Sequence, residues 1–301
     1  NWRLAQPELL AIVQHAGARL VLADAAMQEL AQQLNQQLRP ERPGQAGDVL
    51  LAYTSGTTGQ PKGAAHTSQG MFANAQAAMA VQGLNESTRT LAVLPLFHVG
   101  GLCIQTLPTL LAGGVVLLQP RFEPQTWFAA VAAQSPSTSL LVPATMRALI
   151  DHPAWPDADL RSLRFINSGS SVVPVALIEA FHARGVPVAQ VYGATETGPV
   201  SIALRPEQAL RAVGSVGEAA PGVQIRLVDG EGRDVPAGDV GEIWVRGANL
   251  MRAYHRGEDP GAFSDGWFRT GDLAHCDAQG RYTVVGRSKE LIISGGENIY
   301  P

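Results

Sequence analysis

The sequence predicts an α/β fold: a largely parallel sheet with helices packed on it, followed by a small antiparallel β-subdomain. Two observations carry the prediction. Before about Gly214, short apolar runs alternate with helical segments of about ten residues, and that alternation places helices outside a parallel sheet. After Gly214 the rhythm changes, because residues 224–228, 242–246 and 281–285 alternate apolar with polar side chains. Asp229-Gly-Glu-Gly232 and Asp277-Ala-Gln-Gly280 sit at the turns between such runs. The chain has no internal repeat and no low-complexity tract.

Taken in order, Pro7 and Glu8 open a helix at its first turn, with Leu9, Leu10, Ile12 and Val13 inward and Gly17 as a stop. Residues 19–22 read as a short buried strand and 25–38 as an alanine- and glutamine-rich helix. Prolines and glycines make 39–47 a loop. The apolar run Val49-Leu-Leu-Ala52 is a strand, and Ser68 caps a helix that runs to about Gly83. Residues 90–94 form the next strand, with Pro95-Leu-Phe-His-Val-Gly-Gly101 as its exit. A helix over 102–111 is broken by Gly113 and Gly114 before the strand 115–118. The helix 127–133 precedes a strand at 139–142, which Pro143 closes, and another helix reaches about Ile150. The strand 163–166 ends in Asn167-Ser-Gly-Ser-Ser171. After the helix 175–183, the strand 188–191 ends in Tyr192-Gly-Ala-Thr-Glu-Thr-Gly198.

Composition narrows the function. The 301 residues are enough for a large core and more than one domain. A hydrophobic fraction of 46%, 16% charged residues and a net charge of −4 suit a soluble enzyme and argue against a nucleic-acid binder, which carries a basic excess. Cys103 and Cys276 stand in no metal-ligand or redox spacing, which points to a reducing, cytoplasmic setting. No apolar run reaches membrane-spanning length and no basic-then-apolar leader opens the chain. Asn1 at the start and Pro301 just after an apolar, glycine-rich stretch lead us to expect a piece of a longer protein.

The chemistry centres on Tyr53-Thr-Ser-Gly-Thr-Thr-Gly-Gln-Pro-Lys-Gly63. Its four hydroxyls, three glycines and one lysine follow an apolar strand, and such a loop offers N–H groups, O–H donors and a cation to one anion. Phosphate is the expected guest. The loop is not a Walker A sequence, since Pro61 stands where that pattern needs glycine. Proline disfavours helix at Gln60, so Lys62 is expected on a loop.

Ligands of parallel sheets bind beyond the carboxyl ends of the strands. Four polar loops follow predicted strands, at 54–62, 98–101, 168–171 and 192–198, so we expect them to share one cleft. There Glu196 suits Mg²⁺, Thr195 a phosphate oxygen, and Tyr192 the flat face of a base. Asp272, in Trp267-Phe-Arg-Thr-Gly-Asp272, suits two ribose hydroxyls. Taken singly, Glu196 reads equally as a solvated loop carboxylate and His98 as a packed loop histidine.

Residues 53–63, 192–198, 266–273 and 286–301 together resemble the AMP-forming acyl-CoA synthetases of the adenylate-forming superfamily, in that family's order, and Asn1-Trp-Arg-Leu4 is similar to its acyl-CoA synthetase branch. The resemblance implies ATP, Mg²⁺ and coenzyme A, and a carboxylic acid that becomes acyl-AMP and then a thioester. It implies that Thr54, Ser55, Gly56, Thr57, Thr58, Gly59 and Lys62 surround the β- and γ-phosphates. Gly169, Ser170, Ser171 and Tyr192 would flank adenine, Gly193 would also belong to the nucleotide site, Thr195 would contact the α-phosphate, and Glu196 would hold Mg²⁺. Asp272 and Arg287 would bind the ribose. His98, Val99, Gly100, Gly101, Gly193 and Ala194 would form the acyl pocket, with Lys62, His98, Thr195 and Glu196 as the catalytic set. Lys289 falls at the hinge of a C-terminal lid whose own lysine serves adenylation. Without that lid, the 301-residue piece is expected to bind nucleotide and acid but to adenylate slowly.

On this reading 1–213 is the nucleotide- and acyl-binding core, 214–286 the β-rich subdomain, and 287–301 the hinge and the start of a truncated lid. The partners are small molecules, with no nucleic acid and no transmembrane segment, and a homodimer is admitted. Amino-acid adenylation domains and luciferases are the near rivals. The wall around 97–101 and 167–171 has no acidic residue to hold an amino group, which favours a plain fatty or aromatic acid. A non-catalytic nucleotide binder is the remaining alternative, and Lys62, Glu196, Asp272 and Arg287 argue against it.

Overall fold

The computed structural model describes residues 1–38, 47–55, 61–257, 259–288, 292–294 and 297–299. The chain divides into two compact units, Asn1–Ser68 with Met251–Pro260, and Gln69–Leu250 with Gly261–Pro301.

In the first unit the opening helix spans Gln6–His15, with Pro7 in its first turn and the Glu8 carboxylate accepting the Ala5 N–H. Its apolar residues are only half-buried. The short strand expected at 19–22 does not form, and Leu20 and Leu22 are exposed. The reason is local. Asn35 accepts the Val21 N–H at 2.8 Å and donates to the Val21 carbonyl at 2.9 Å, so one side-chain amide satisfies the groups a neighbouring strand would take. Asn35 lies on the helix Gln28–Gln37, which follows a 3₁₀ turn at Ala25–Met27 capped by Asp24.

Strands Asp48–Ser55 and Pro61–Thr67 pair antiparallel, Ser55 opposite Pro61 and Thr54 opposite Lys62, and Ala253–Tyr254 adds a third strand. Lys62 therefore lies in a strand and not on a loop. Proline forbids a helix here but is tolerated at the first residue of a strand.

The second unit holds a seven-stranded sheet in the order Val115–Leu118, Arg89–Ala92, Thr138–Leu141, Phe165–Ser168, Val188–Tyr192, Ile202–Ala203, Glu218–Ala219. The first five are parallel and the last two antiparallel. On one face the helices Pro124–Gln134, Pro143–Ile150 and Val175–Ala183 bury Trp127, Met146, Leu149, Ile178 and Phe181 against Leu141 and Ile166. A large apolar side chain fully buried contributes about 1.5–3 kcal/mol, so this cluster anchors the sheet. Elsewhere Ala77, Ala78 and Val81 of the helix Ser68–Gln82 share a cluster with Val191, Ile202, Ile243 and Val245. That cluster joins the parallel sheet to an antiparallel one.

The antiparallel sheet runs Val223–Val228, Gly241–Gly247, Trp267–Cys276, Phe263–Ser264, with Tyr282–Arg287 also on Trp267–Cys276. Both predicted turns carry a left-handed glycine, Gly232 and Gly280. In each, the opening aspartate, Asp229 or Asp277, accepts two backbone N–H groups. The pairing of the long strand is irregular. Glu242 faces Leu273 while Trp244 faces Arg269, so two steps on one strand match four on the other. The excess residues, Thr270 and Gly271, bulge just before Asp272.

Candidate nucleotide site

That bulge is the starting point of the site, because bulges re-aim side chains. Thr270 Oγ1 donates to the Ile243 carbonyl at 2.7 Å and accepts the Asp272 N–H at 3.0 Å, while the Gly271 N–H donates to Glu242 at 3.1 Å. Gly271 takes a left-handed φ of 72°, which a side chain would resist. Asp272 is thereby aimed at Tyr192, whose hydroxyl donates to its Oδ2 at 2.8 Å, and Arg287 Nε donates to Oδ1 at 2.9 Å. Asp272 is 8% exposed, so these donors, more than bulk water, hold its charge. Burial, reinforced by the negative charge of Asp272, pushes the Tyr192 hydroxyl well above its ordinary pKa. It stays a proton donor at any physiological pH.

Tyr192 ends a parallel strand, and the next residues make a single 3₁₀ turn, Thr195–Thr197, closed by left-handed Gly198. Thr197 Oγ1 accepts the Ala194 N–H at 2.9 Å, which orients Thr195 and Glu196. Gly193 carries no side chain because a Cβ there would overlap the Pro199 carbonyl. One strand over, Gly169 likewise approaches the Val191 carbonyl, Ser170 adopts φ 69°, and Ser171 is exposed. Three polar loops thus leave the carboxyl ends of parallel strands, as expected. The fourth does not: Thr54, Ser55, Pro61 and Lys62 stand on two strands of the other unit that pair antiparallel with each other.

His98 is exposed, with its ring 4.5 Å from that of Phe97. Val99–Gly101 begins a helix that widens into a π-helical turn over Leu102–Thr106 and returns to α at Leu107–Leu111. Gly100 and Gly101 differ sharply. A Cβ on Gly100 meets only Ser170 Oγ, at 3.7 Å, whereas one on Gly101 would strike the Pro95 backbone. Space for a ligand is therefore at Gly100, while Gly101 is dictated by packing.

In the first unit, Lys62 Nζ lies 2.7 Å from Asp259 Oδ2 and 5.2 Å from the Tyr254 ring centre. Tyr53 OH and His15 Nδ1 are 2.8 Å apart. Gly56, Thr57, Thr58, Gly59 and Lys289 lie outside the described residues. Among the described residues no three acidic, histidine or cysteine side chains converge as a metal cage. One carboxylate with a neighbouring hydroxyl, Glu196 with Thr195, still fits Mg²⁺, which keeps several waters and leans on substrate phosphates. Sequence reasoning passed over the amides Asn74, Gln82, Gln105 and Asn249, all buried in the second unit. Their only signal was amides amid apolar residues.

No helix among the described residues is long and apolar enough to cross a membrane. The family of AMP-binding enzymes matches residues 1–255. The chain is 48% identical over 268 residues to an indoleacetate–CoA ligase from Aromatoleum aromaticum, covering 88% of this chain and 51% of that protein. It is 40% identical over 265 residues to a feruloyl-CoA synthase from Amycolatopsis sp, covering 87% and 54%. An O-succinylbenzoate coenzyme A synthetase from Bacillus subtilis, solved with ATP and magnesium ion, superposes with a TM-score of 0.85 at 30% identity, over 99% of this chain and 65% of that one. The chain spans about half the length of the curated relatives it matches.

Proposed function

The chain belongs to the AMP-binding enzyme family, and from that premise we propose that the protein it forms part of is an AMP-forming acid–coenzyme A ligase for aromatic carboxylic acids. In the first step a carboxylate oxygen attacks the α-phosphorus of ATP, the bond to the β-phosphate oxygen breaks, and pyrophosphate leaves. In the second, the coenzyme A thiolate attacks the acyl carbon and AMP leaves with the bonding electrons. The observation that carries this reading is the buried Asp272 locked between Tyr192 and Arg287. A buried, pre-oriented carboxylate beside a flat aromatic ring suits a ribose diol and a base.

The other roles are proposed from the resemblance to the family. Thr54, Ser55, Gly56, Thr57, Thr58, Gly59 and Lys62 are proposed for the triphosphate, and Gly169, Ser170, Ser171 and Gly193 for the walls around adenine. Thr195 would face the α-phosphate. Glu196 would hold Mg²⁺, which when bound neutralises charge gathering on the phosphoryl oxygens. His98, Val99, Gly100, Gly101 and Ala194 are assigned to the acid, with Lys289 as hinge. The indoleacetate and feruloyl relatives support an aromatic substrate, as do the open face of Gly100 and the lack of an acidic residue in that wall.

The test is thioester formation and pyrophosphate exchange by the full-length protein with a panel of arylacetic, hydroxycinnamic, fatty and amino acids. Arylacetic or hydroxycinnamic acids should give the highest kcat/KM. Exchange with no acid at all, or an amino acid as the best substrate, would sink the proposal.

A further inference from the structure

Two short turns of the second unit carry the groups assigned to acid and metal, and buried amides back both of them. Asn74 is 1% exposed on the helix Ser68–Gln82. Its Nδ2 donates to the Cys103 carbonyl at 2.8 Å, inside the π-helical turn behind His98. Its Oδ1 accepts the Val200 N–H at 3.1 Å, just past the turn that carries Thr195 and Glu196. Farther along the same helix, Gln82 donates to the Ile104 carbonyl at 2.9 Å and accepts from Gln105 at 3.2 Å. On the other side, Asn249 donates to the Thr197 carbonyl at 2.6 Å. Gly198 packs so tightly that a Cβ would overlap the Asn249 carbonyl and lie 3.5 Å from the Asn74 Cβ.

These bonds do more than fill a core. A π-helical turn has an irregular ladder that neighbouring groups must support, and such turns recur at functional sites. Burying three amides among apolar side chains costs free energy unless each is paired. In the proposed reaction a carboxylate oxygen must reach within about 3–3.5 Å of phosphorus, so the relative placement of the two turns matters more than either alone.

We propose that Asn74 is a positioning residue that fixes the acid-binding turn against the metal-binding turn, with Gln82 steadying the first only and Asn249 the second only. The inference rests on the ligase reading above. One planar amide grips both turns, with its nitrogen on one and its oxygen on the other, so neither can shift without stretching a buried hydrogen bond.

The experiment measures steady-state kinetics and thermal melting of the full-length protein carrying Gln82→Met, Asn249→Leu or Asn74→Ser. Gln82→Met should raise KM for the acid about tenfold and leave KM for Mg·ATP within about twofold, the size expected for one lost buried hydrogen bond. Asn249→Leu should do the reverse. Asn74→Ser should lower kcat by about tenfold to a hundredfold, more than it raises either KM, because misalignment acts on the reacting pair. If Asn74→Ser does not fold, Asn74→Ala replaces it, and the same loss of kcat is expected because both bonds of the amide are removed. If neither folds, the Gln82 and Asn249 arms decide. Variants that melt earlier but keep wild-type kinetics per folded molecule, or that shift both KM values equally, overturn the positioning role. Wild-type protein that exchanges pyrophosphate with no acid overturns the ligase reading instead.

Discussion

The Asp272 cluster and the Lys62 hairpin both read as nucleotide-binding, and they are held in opposite ways. Asp272 is buried, its backbone is aimed by a bulge, and two donors from separate strands lock its oxygens. Lys62 stands on a two-stranded ribbon with one more short strand beside it, and its charge is matched by the half-exposed carboxylate of Asp259. The first arrangement is hydrogen-bonded in place before any ligand arrives. The second holds its cation against a counter-ion that a polyanion can replace. A pre-organised site suits a nucleoside that is kept through both half-reactions. An exchangeable ion pair suits phosphates that arrive with ATP and leave as pyrophosphate.

The largest test breaks the comparison at Lys62. If Lys62 serves the triphosphate as proposed, Lys62→Met removes a cation from the developing negative charge, and losses of that kind cost about a hundredfold or more in rate. Single-turnover acyl-adenylate formation by the full-length protein at saturating ATP should show that loss, while AMP affinity stays near wild type. A rate within about threefold of wild type would show that Lys62 does not face the reacting phosphates.

Asp272→Asn is the complementary cut. It preserves shape but removes the charge that would strengthen the proposed hydrogen bonds to ribose, so AMP affinity should fall by about 1.5–3 kcal/mol. Calorimetry with AMP reads this directly. Unchanged affinity would remove the ribose assignment and with it the contrast drawn above.

A third pair of variants sharpens the contrast within the second unit. Gly100→Val puts bulk where only Ser170 Oγ is near, so it should disfavour large aromatic acids over acetate by about 1–3 kcal/mol in relative kcat/KM. Gly101→Ala should instead lower the melting temperature with little change in acid preference, because its Cβ meets the Pro95 backbone. If the two glycines exchange roles, the pocket lies on the other side of this helix.

Much of this was legible in the sequence. The separate antiparallel sheet after Gly214 followed from the loss of helical spacing, although antiparallel pairing already begins at Ile202–Ala203, and Tyr192, Glu196 and Asp272 stood out as polar residues after apolar runs. What failed was pairing at a distance. Residues 19–22 have the composition of a strand, but strand character needs a partner, and Asn35 took that place. Pro61 correctly excluded a helix, yet a loop and a strand start look alike in one sequence. The bulge before Asp272 depends on register with a strand near Glu242, which no local pattern records. The buried amides were silent for the same reason, since Val200, whose N–H donates to Asn74, is 126 residues away in sequence.

The smallest expected effect bears on how exchangeable the Lys62 pair is. Asp259 has a left-handed φ of 56°, a conformation that asparagine also tolerates, so Asp259→Asn changes charge with little backbone strain. Half-exposed ion pairs of this kind are worth about 0.2–1 kcal/mol, because solvent screens them. If Asp259 competes with the triphosphate for Lys62, removing its charge should tighten ATP binding by up to that amount. AMP, which lacks the β- and γ-phosphates, should bind as before. Titration of both nucleotides against wild type and variant reads the difference, and raising the salt concentration should shrink it. Weaker ATP binding in the variant would mean that Asp259 orients Lys62 toward its ligand, and the hairpin would then be as pre-organised as the Asp272 cluster.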